Sequence, residues 1–136
     1  MSAIVMAALM VTGTASLAQL RKIPAEVTDA FKAKCPNANA VEWKDKLKVF
    51  QANFEMRDED YVAKFNSKGE WQETEKIMER DKLPSEVMDG FNKSKFSDWE
   101  IKELSFIEKK DGTDLYRILV KKSDLEKKYL YFNKTG

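Results

Sequence analysis

Residues 23–31 read Ile-Pro-Ala-Glu-Val-Thr-Asp-Ala-Phe, and residues 83–91 read Leu-Pro-Ser-Glu-Val-Met-Asp-Gly-Phe. The two stretches share Pro, Glu-Val, Asp and Phe at the same spacing, sixty positions apart. A second phrase also recurs, as Phe-Asn-Ser-Lys-Gly at 65–69 and Phe-Asn-Lys-Thr-Gly at 132–136. Internal repetition is typical of a chain built from copies of one supersecondary unit. The sequence therefore predicts two tandem units.

Each copy of the first phrase predicts a short helix. Proline is favoured in the first helical turn, where its missing N–H leaves no hydrogen bond unmade, and Pro24 and Pro84 occupy that position. Val27, Ala30 and Phe31 follow the spacing of one helical face, so we expect these side chains to pack against a sheet. The second copy repeats this pattern.

The residues after each helix predict short strands. Residues 50–56 alternate between apolar and polar side chains, which indicates a strand with one buried face. Turns are expected at 45–46 and over the polar residues 57–60, and connections this short join only antiparallel strands. The predicted fold class is α+β, with two tandem helix-plus-antiparallel-sheet repeats at residues 19–76 and 77–136. Because units this small bury little apolar surface alone, we expect the two sheets to join edge to edge or to pack through the linker.

Residues 1–18 differ in composition from the rest of the chain. Ala3 to Val11 is an unbroken apolar run, and Ser16-Leu17-Ala18 supplies a small-x-small site. This pattern predicts a signal peptide cleaved after Ala18, so we expect a periplasmic or secreted protein without a stable membrane span. No Lys or Arg precedes the run, which is atypical. The run is nevertheless shorter than the roughly twenty residues that a membrane-spanning helix needs.

The composition argues against catalysis and against bound metals or cofactors. The chain has no His and a single cysteine, Cys35, so it lacks the commonest general base and metal ligand. We expect Cys35 to be a packed small side chain rather than a nucleophile. The adjacent acids Asp58, Glu59 and Asp60 lack the spacing of a calcium loop. We therefore predict a protein that is not an enzyme, with no cofactor and no metal.

The charge pattern argues against a nucleic-acid partner. Charged residues make up 35% of the chain but balance to a net charge of +1. A nucleic-acid binder would show a clustered basic surface instead. We expect the partner to be another protein of the cell envelope or exterior.

One face of the predicted sheets carries residues suited to contact with a protein. Tyr and Arg are enriched among the residues that dominate binding at protein interfaces. Strand alternation places several of them on the sheet face opposite the one that faces the helices. The alternative is that these side chains only half-cover a solvated sheet face, as antiparallel sheets allow. The predicted partner-binding residues are Gln51, Asn53, Arg117, Leu119, Tyr129 and Tyr131.

Several motifs together resemble a known family. They are the repeated Ile/Leu-Pro-x-x-Val-x-x-x-Phe, the Pro-Asn-Ala of 36–38 before a Val-x-Trp strand at 41–43, and Phe-Asn-x-x-Gly closing a hairpin. The chain resembles the PepSY-like proteins over about residues 22–136. These are secreted bacterial proteins grouped by fold with the β-lactamase inhibitory protein. In the second copy, residues 95–98 depart from this pattern, because Lys-Phe-Ser-Asp replaces Cys-Pro-Asn-Ala.

The resemblance implies tandem helix-plus-sheet units whose exposed sheet face can bind a partner, and it supplies no catalytic residues. Related PepSY domains occur in protease propeptides, which implies inhibition or regulation of an enzyme. We therefore expect a non-catalytic exported binding module that acts on an exported enzyme. The alternatives are a periplasmic carrier of a small ligand, with an apolar cleft between the copies, and an envelope protein with no specific ligand.

Overall fold

The computed structural model describes residues 23–136, so the predicted signal peptide at 1–18 lies outside the described residues. Within residues 23–136, two helices and seven strands follow one another, with one turn of 3-10 helix at Arg80–Lys82. The elements are α1 (Ala25–Lys34), β1 (Asn39–Lys46), β2 (Val49–Met56), β3 (Glu59–Asn66), β4 (Trp71–Met78), α2 (Ser85–Asn92), β5 (Glu100–Lys109), β6 (Asp114–Ser123) and β7 (Glu126–Phe132).

All seven strands form one antiparallel sheet in sequence order, β1 to β7. The strands of the first half, β1–β4, meet those of the second half, β5–β7, through the β4–β5 pair, which runs from Glu73 opposite Lys109 to Met78 opposite Leu104. Of the two expected arrangements, the protein has the edge-to-edge one. The fold is α+β, with both helices on one side of a continuous sheet.

Helix α1 packs on the first half of the sheet through the apolar side chains of the repeated phrase. Val27 and Phe31 are buried, and the Phe31 ring meets Trp43, Phe54 and Phe65 edge-on, at centroid distances of 5.3, 5.1 and 6.3 Å. Edge-on contact places the positive edge of one ring against the negative face of another, which stabilises the core beyond the burial of apolar area. The buried residues of this core are Val27, Phe31, Phe50, Ala52, Phe54, Ala63 and Phe65.

Helix α2 packs on the second half in the corresponding way. Val87 and Phe91 are buried, and the buried sheet residues beneath them are aliphatic, whereas the aromatic Tyr116 and Phe132 are only partly buried. Phe96, in the segment that replaces Cys-Pro-Asn-Ala, and Trp99 just after it lie at the border of this core, and their rings meet edge-on at 5.1 Å. The buried residues of this core are Leu83, Val87, Phe91, Leu104, Ile118 and Val120.

In each half, the glycine of the Phe-Asn-x-x-Gly phrase contacts the helix formed by the Ile/Leu-Pro phrase. Gly69, at φ +84°, lies so close to α1 that a Cβ there would come within 2.5 Å of the Glu26 carbonyl oxygen. Gly136, at φ +102°, stands in the same relation to the Glu86 carbonyl oxygen, also at 2.5 Å. A side chain is excluded at both positions by space and by backbone conformation. The glycine that ends each Phe-Asn-x-x-Gly phrase is therefore required by close approach to the helix.

Two predicted turns are shorter or later than expected. Residues 45 and 46 belong to β1, and the chain turns at Leu47–Lys48, where Leu47 has φ +63°. The predicted loop at 57–60 is a two-residue turn at Arg57–Asp58, because both have positive φ, 54° and 64°. Two successive positive φ angles match the right-handed twist of hairpin strands, so strand pairing continues up to the turn.

Candidate protein-binding face

The sheet face opposite α1 and α2, called here the open face, holds all six predicted partner-binding residues. Residues opposite each other in the strand pairs lie on the same face, and Arg117 pairs with Tyr131 and Leu119 with Tyr129. Both tyrosines are about half exposed, at 51% and 55%. Gln51 and Asn53 lie on β2 on the same side, opposite Lys64 and Val62.

The six residues do not form one cluster. Gln51 and Asn53 contact each other, with the Gln51 Nε2 donating to the Asn53 Oδ1 at 2.8 Å. Four strand spacings separate β2 from β6, or about 19 Å at the usual distance between neighbouring strands. The open face therefore has two separate groups, an amide pair on the first half and the group formed by Arg117, Leu119, Tyr129 and Tyr131 on the second.

Arg117 is held in place from two sides. Its guanidinium forms an ion pair and hydrogen bond with Glu75, which reaches it from β4 across β5. The guanidinium carbon also lies 4.7 Å from the centre of the Tyr129 ring, in a cation–π arrangement. A planar guanidinium fixed by a carboxylate and an aromatic ring loses little further freedom when a partner binds. The Arg117 guanidinium is therefore preorganised.

The charge on Arg117 is stabilised despite its partial burial. Burial is the largest single influence and opposes the charged form, but the Glu75 carboxylate together with Tyr131 and Tyr129 outweighs it, so the pKa of the guanidinium is raised. The cation therefore persists across the whole physiological pH range.

Three residues at the centre of the open face were missed by the sequence analysis. Glu75, Ser105 and Ile107 are 5%, 3% and 2% exposed, although neither α1 nor α2 covers this side of the sheet. Ile107 lies between Glu75 and Leu115 in the strand pairing, and Ser105 lies between Ile77 and Arg117. The alternation within β5 could have indicated Ile107, since it falls on the face opposite Phe106. The burial of Glu75 follows from its long-range pairing with Arg117.

An open depression of about 350 Å³ lies on the first half of the sheet. Its apolar lining includes Val62 and Ile77, and Ile77 is 40% exposed. Three carboxylate side chains, Glu42, Glu55 and Asp60, also line it. We call this feature the acidic depression. Its lining residues come from β1 to β4. A cleft between the two copies was expected only under the alternative of a small-ligand carrier.

The remaining candidate groups do not form a reactive site. Cys35 caps the C-terminal end of α1, is partly buried and is a free thiol. Burial raises the pKa of this thiol, and the nearby Lys34 only partly offsets the effect. Within residues 23–136, no group of three or more His, Cys, Asp or Glu side chains is placed to hold a metal ion. No helix in that same span is long and apolar enough to cross a membrane.

Comparison with known proteins identifies the family to which this α+β protein belongs. Residues 49–136 match the family described as "Putative beta-lactamase-inhibitor-like, PepSY-like". The chain belongs to this PepSY-like family. No curated protein matches it in sequence.

Solved structures from Bacteroides have the same fold. A "putative periplasmic" protein of Bacteroides eggerthii is 24% identical with a TM-score of 0.76, and the match covers 83% of each chain. A DUF2874 family protein of Bacteroides ovatus is 25% identical, also at 0.76, over 83% of this chain and 82% of that one. A BLIP-like protein of Bacteroides fragilis is 23% identical with a TM-score of 0.73, over 83% and 81%. The helix-backed sheet is thus shared by proteins of low sequence identity.

Proposed function

We propose that the chain is an exported, non-catalytic module that binds another protein through its open face and thereby inhibits or regulates an exported enzyme. The main support is the preorganised group around Arg117, in which half-exposed Tyr129 and Tyr131 flank a guanidinium fixed by buried Glu75. Tyr and Arg are the residue types that dominate binding energies at interfaces. The inhibitor-like description of the family and the BLIP-like name of one structural neighbour point to the same role.

An address outside the cytoplasm fits this role. The apolar run and small-x-small site at 1–18 resemble a signal peptide, and a protein of the same fold is named as periplasmic. N-terminal sequencing of the protein recovered from the periplasm or medium would test this assignment. A mature chain beginning at Gln19 is expected, whereas recovery of the uncleaved chain in the cytoplasm would refute it.

The two-unit organisation at residues 19–76 and 77–136 is part of the proposal. Both Gly–helix contacts, Gly69 with Glu26 and Gly136 with Glu86, join the same positions of the two repeated phrases. Each half also buries the Val and Phe of its helix against its own strands. Because the halves share the β4–β5 ladder, neither is expected to unfold cooperatively when expressed alone. Circular dichroism of the two separate fragments checks this expectation.

Affinity capture from periplasmic extract tests the binding function. The full chain is expected to retain a protein that Tyr129→Ala/Tyr131→Ala fails to retain. A matched control is Leu47→Ala/Leu125→Ala, which removes two apolar side chains that are 93% and 97% exposed at hairpin tips away from the open-face group. If the tyrosine variant and the control retain the same proteins at the same level, the open face of the second half is not the binding surface.

A further inference from the structure

We propose that the acidic depression receives a Lys or Arg side chain of the bound partner protein. This inference rests on the proposed function, because it assigns one part of the open face to one chemical group of the partner. It is carried by the shape and charge of residues on β1–β4, and it does not depend on the tyrosines of the second half.

The apolar part of the depression favours an occupant with an aliphatic side-chain stem. Val62 and Ile77 lie on neighbouring strands of the open face, and Ile77 remains 40% exposed in the middle of the sheet. A large apolar side chain left uncovered beside a concave feature gains free energy when a partner covers it. The depression, at about 350 Å³, has room for one long side chain.

The carboxylates that line the depression favour a positive charge at the end of that side chain. Glu42, Glu55 and Asp60 line the depression, and none of the three forms an ion pair within residues 23–136. By contrast, Glu73 and Glu75 on the same face are paired with Lys64 and Arg117. Lys and Arg are the side chains that cover apolar surface with their stems while a cationic end stays at the rim. A bare metal ion would satisfy only the carboxylates, which are not grouped as metal ligands in the described part of the chain.

The position of the depression allows one partner element to reach both groups of the open face. Neighbouring strand partners lead from Ile77 through Ser105 and Arg117 to Tyr131 in one line across the sheet. This line crosses three strand spacings, or about 14 Å. A partner loop or helix of ordinary length spans that distance, so its basic residue can enter the depression while its apolar residues cover the tyrosines.

A peptide titration of the full chain followed by NMR tests the inference without the natural partner. The probe is acetyl-Gly-Arg-Gly-amide, and its uncharged counterpart carries citrulline in place of Arg. We expect the Arg peptide to shift the backbone amide signals of Asn53, Val62 and Ile77, and the citrulline peptide to bind about fivefold more weakly. Glu55→Gln/Asp60→Asn should weaken the binding of the Arg peptide by a similar factor. The matched control, Glu103→Gln/Glu108→Gln, removes two exposed charges outside the depression and should leave binding unchanged.

Three results would overturn the inference. Equal binding of the Arg and citrulline peptides would show that charge is not recognised. Equal weakening by the two double variants would show a non-specific attraction to acidic surface. Binding of spermidine about tenfold tighter than the Arg peptide at the same signals would indicate a site for small polycations. Unchanged capture in the tyrosine variant would refute only the proposed function, so the two proposals fail separately.

Discussion

The two halves of the sheet are built alike beneath their helices and differently on the open face. In both halves the Val and Phe of the repeated phrase are buried against the strands. On the other side, the first half presents Gln51 and Asn53, whereas the second presents Arg117, Tyr129 and Tyr131. The helix-facing side is constrained by close packing. The open side is free to vary, so binding specificity is expected where the halves differ.

The largest effects are expected in the two cores. Phe31→Ala and Phe91→Ala should each lower the free energy of unfolding by about 3–5 kcal/mol, since each removes a buried aromatic side chain. Phe31→Ala should cost about 1 kcal/mol more, because Phe31 also meets three aromatic rings edge-on. Urea unfolding monitored by circular dichroism measures both values.

The same unfolding curves test whether the halves act as one cooperative unit. A single transition is expected in the wild-type chain and in both variants, because the β4–β5 ladder joins the two cores. Two separate transitions in Phe91→Ala would mean that the first half is stable without the second, contrary to the view that each supports the other.

Next in size is the ion pair that fixes the second group of the open face. Arg117→Met should destabilise the protein by about 3 kcal/mol, because it leaves the Glu75 carboxylate buried without a partner. The comparison in the first half is Lys64→Met. The Lys64–Glu73 pair is 3.7 Å long and partly exposed, so its loss should cost less than about 1 kcal/mol.

A double variant separates charge pairing from packing. Arg117→Met/Glu75→Met should be more stable than Arg117→Met alone, since no unpaired charge remains buried. If Lys64→Met proves as damaging as Arg117→Met, the special role assigned to the Glu75–Arg117 pair is wrong. Thermal unfolding of the four proteins at pH 7 provides the comparison.

Binding should also differ between the two halves. Tyr129→Ala/Tyr131→Ala is expected to lower the retention of the captured partner at least about tenfold, because large aromatic side chains carry most interface energy. Gln51→Ala/Asn53→Ala should lower it less than about threefold, since this pair already satisfies part of its hydrogen bonding internally. A larger loss from the amide pair would assign the main contact to the first half.

The sequence predicted the elements that depend on local pattern. Helical spacing located α1 and α2, and strict alternation in residues 50–56 located β2 with its buried face. The six open-face residues were placed on the correct side for the same reason, because side-chain direction in a strand depends only on parity. Their role as binding residues remains a prediction.

The features that were missed depend on contacts between distant parts of the chain. Glu75 and Arg117 are 42 positions apart, and no local pattern relates them. A register shift between Trp71 and Glu73 in the β3–β4 pair sets the face on which Trp71 lies, and no local pattern indicates this shift. In the structure, Trp71 is opposite Phe65 and packs against the first core, under the Lys34 ammonium at 3.7 Å. The acidic depression likewise needs side chains from several strands.

The smallest expected effect concerns the position after each helix, where Cys35 in the first half corresponds to Lys95 in the second. Cys35 is partly buried, and burial raises the pKa of its thiol. A raised pKa lowers the thiolate fraction at pH 8, so iodoacetamide should alkylate Cys35 about fivefold more slowly in the native chain than in 6 M urea. Mass spectrometry follows the reaction.

The comparison with the second half uses Cys35→Ser/Lys95→Cys. Lys95 is exposed, so the introduced thiol should react at nearly the same rate in the native and unfolded chain. Raising the pH to 9.5 should narrow the native-to-unfolded difference in alkylation rate for Cys35, because a larger share of the thiol is ionised in both states. Equal rates for Cys35 in buffer and in urea at pH 8 would mean that the end of α1 is as open as the corresponding segment of the second half.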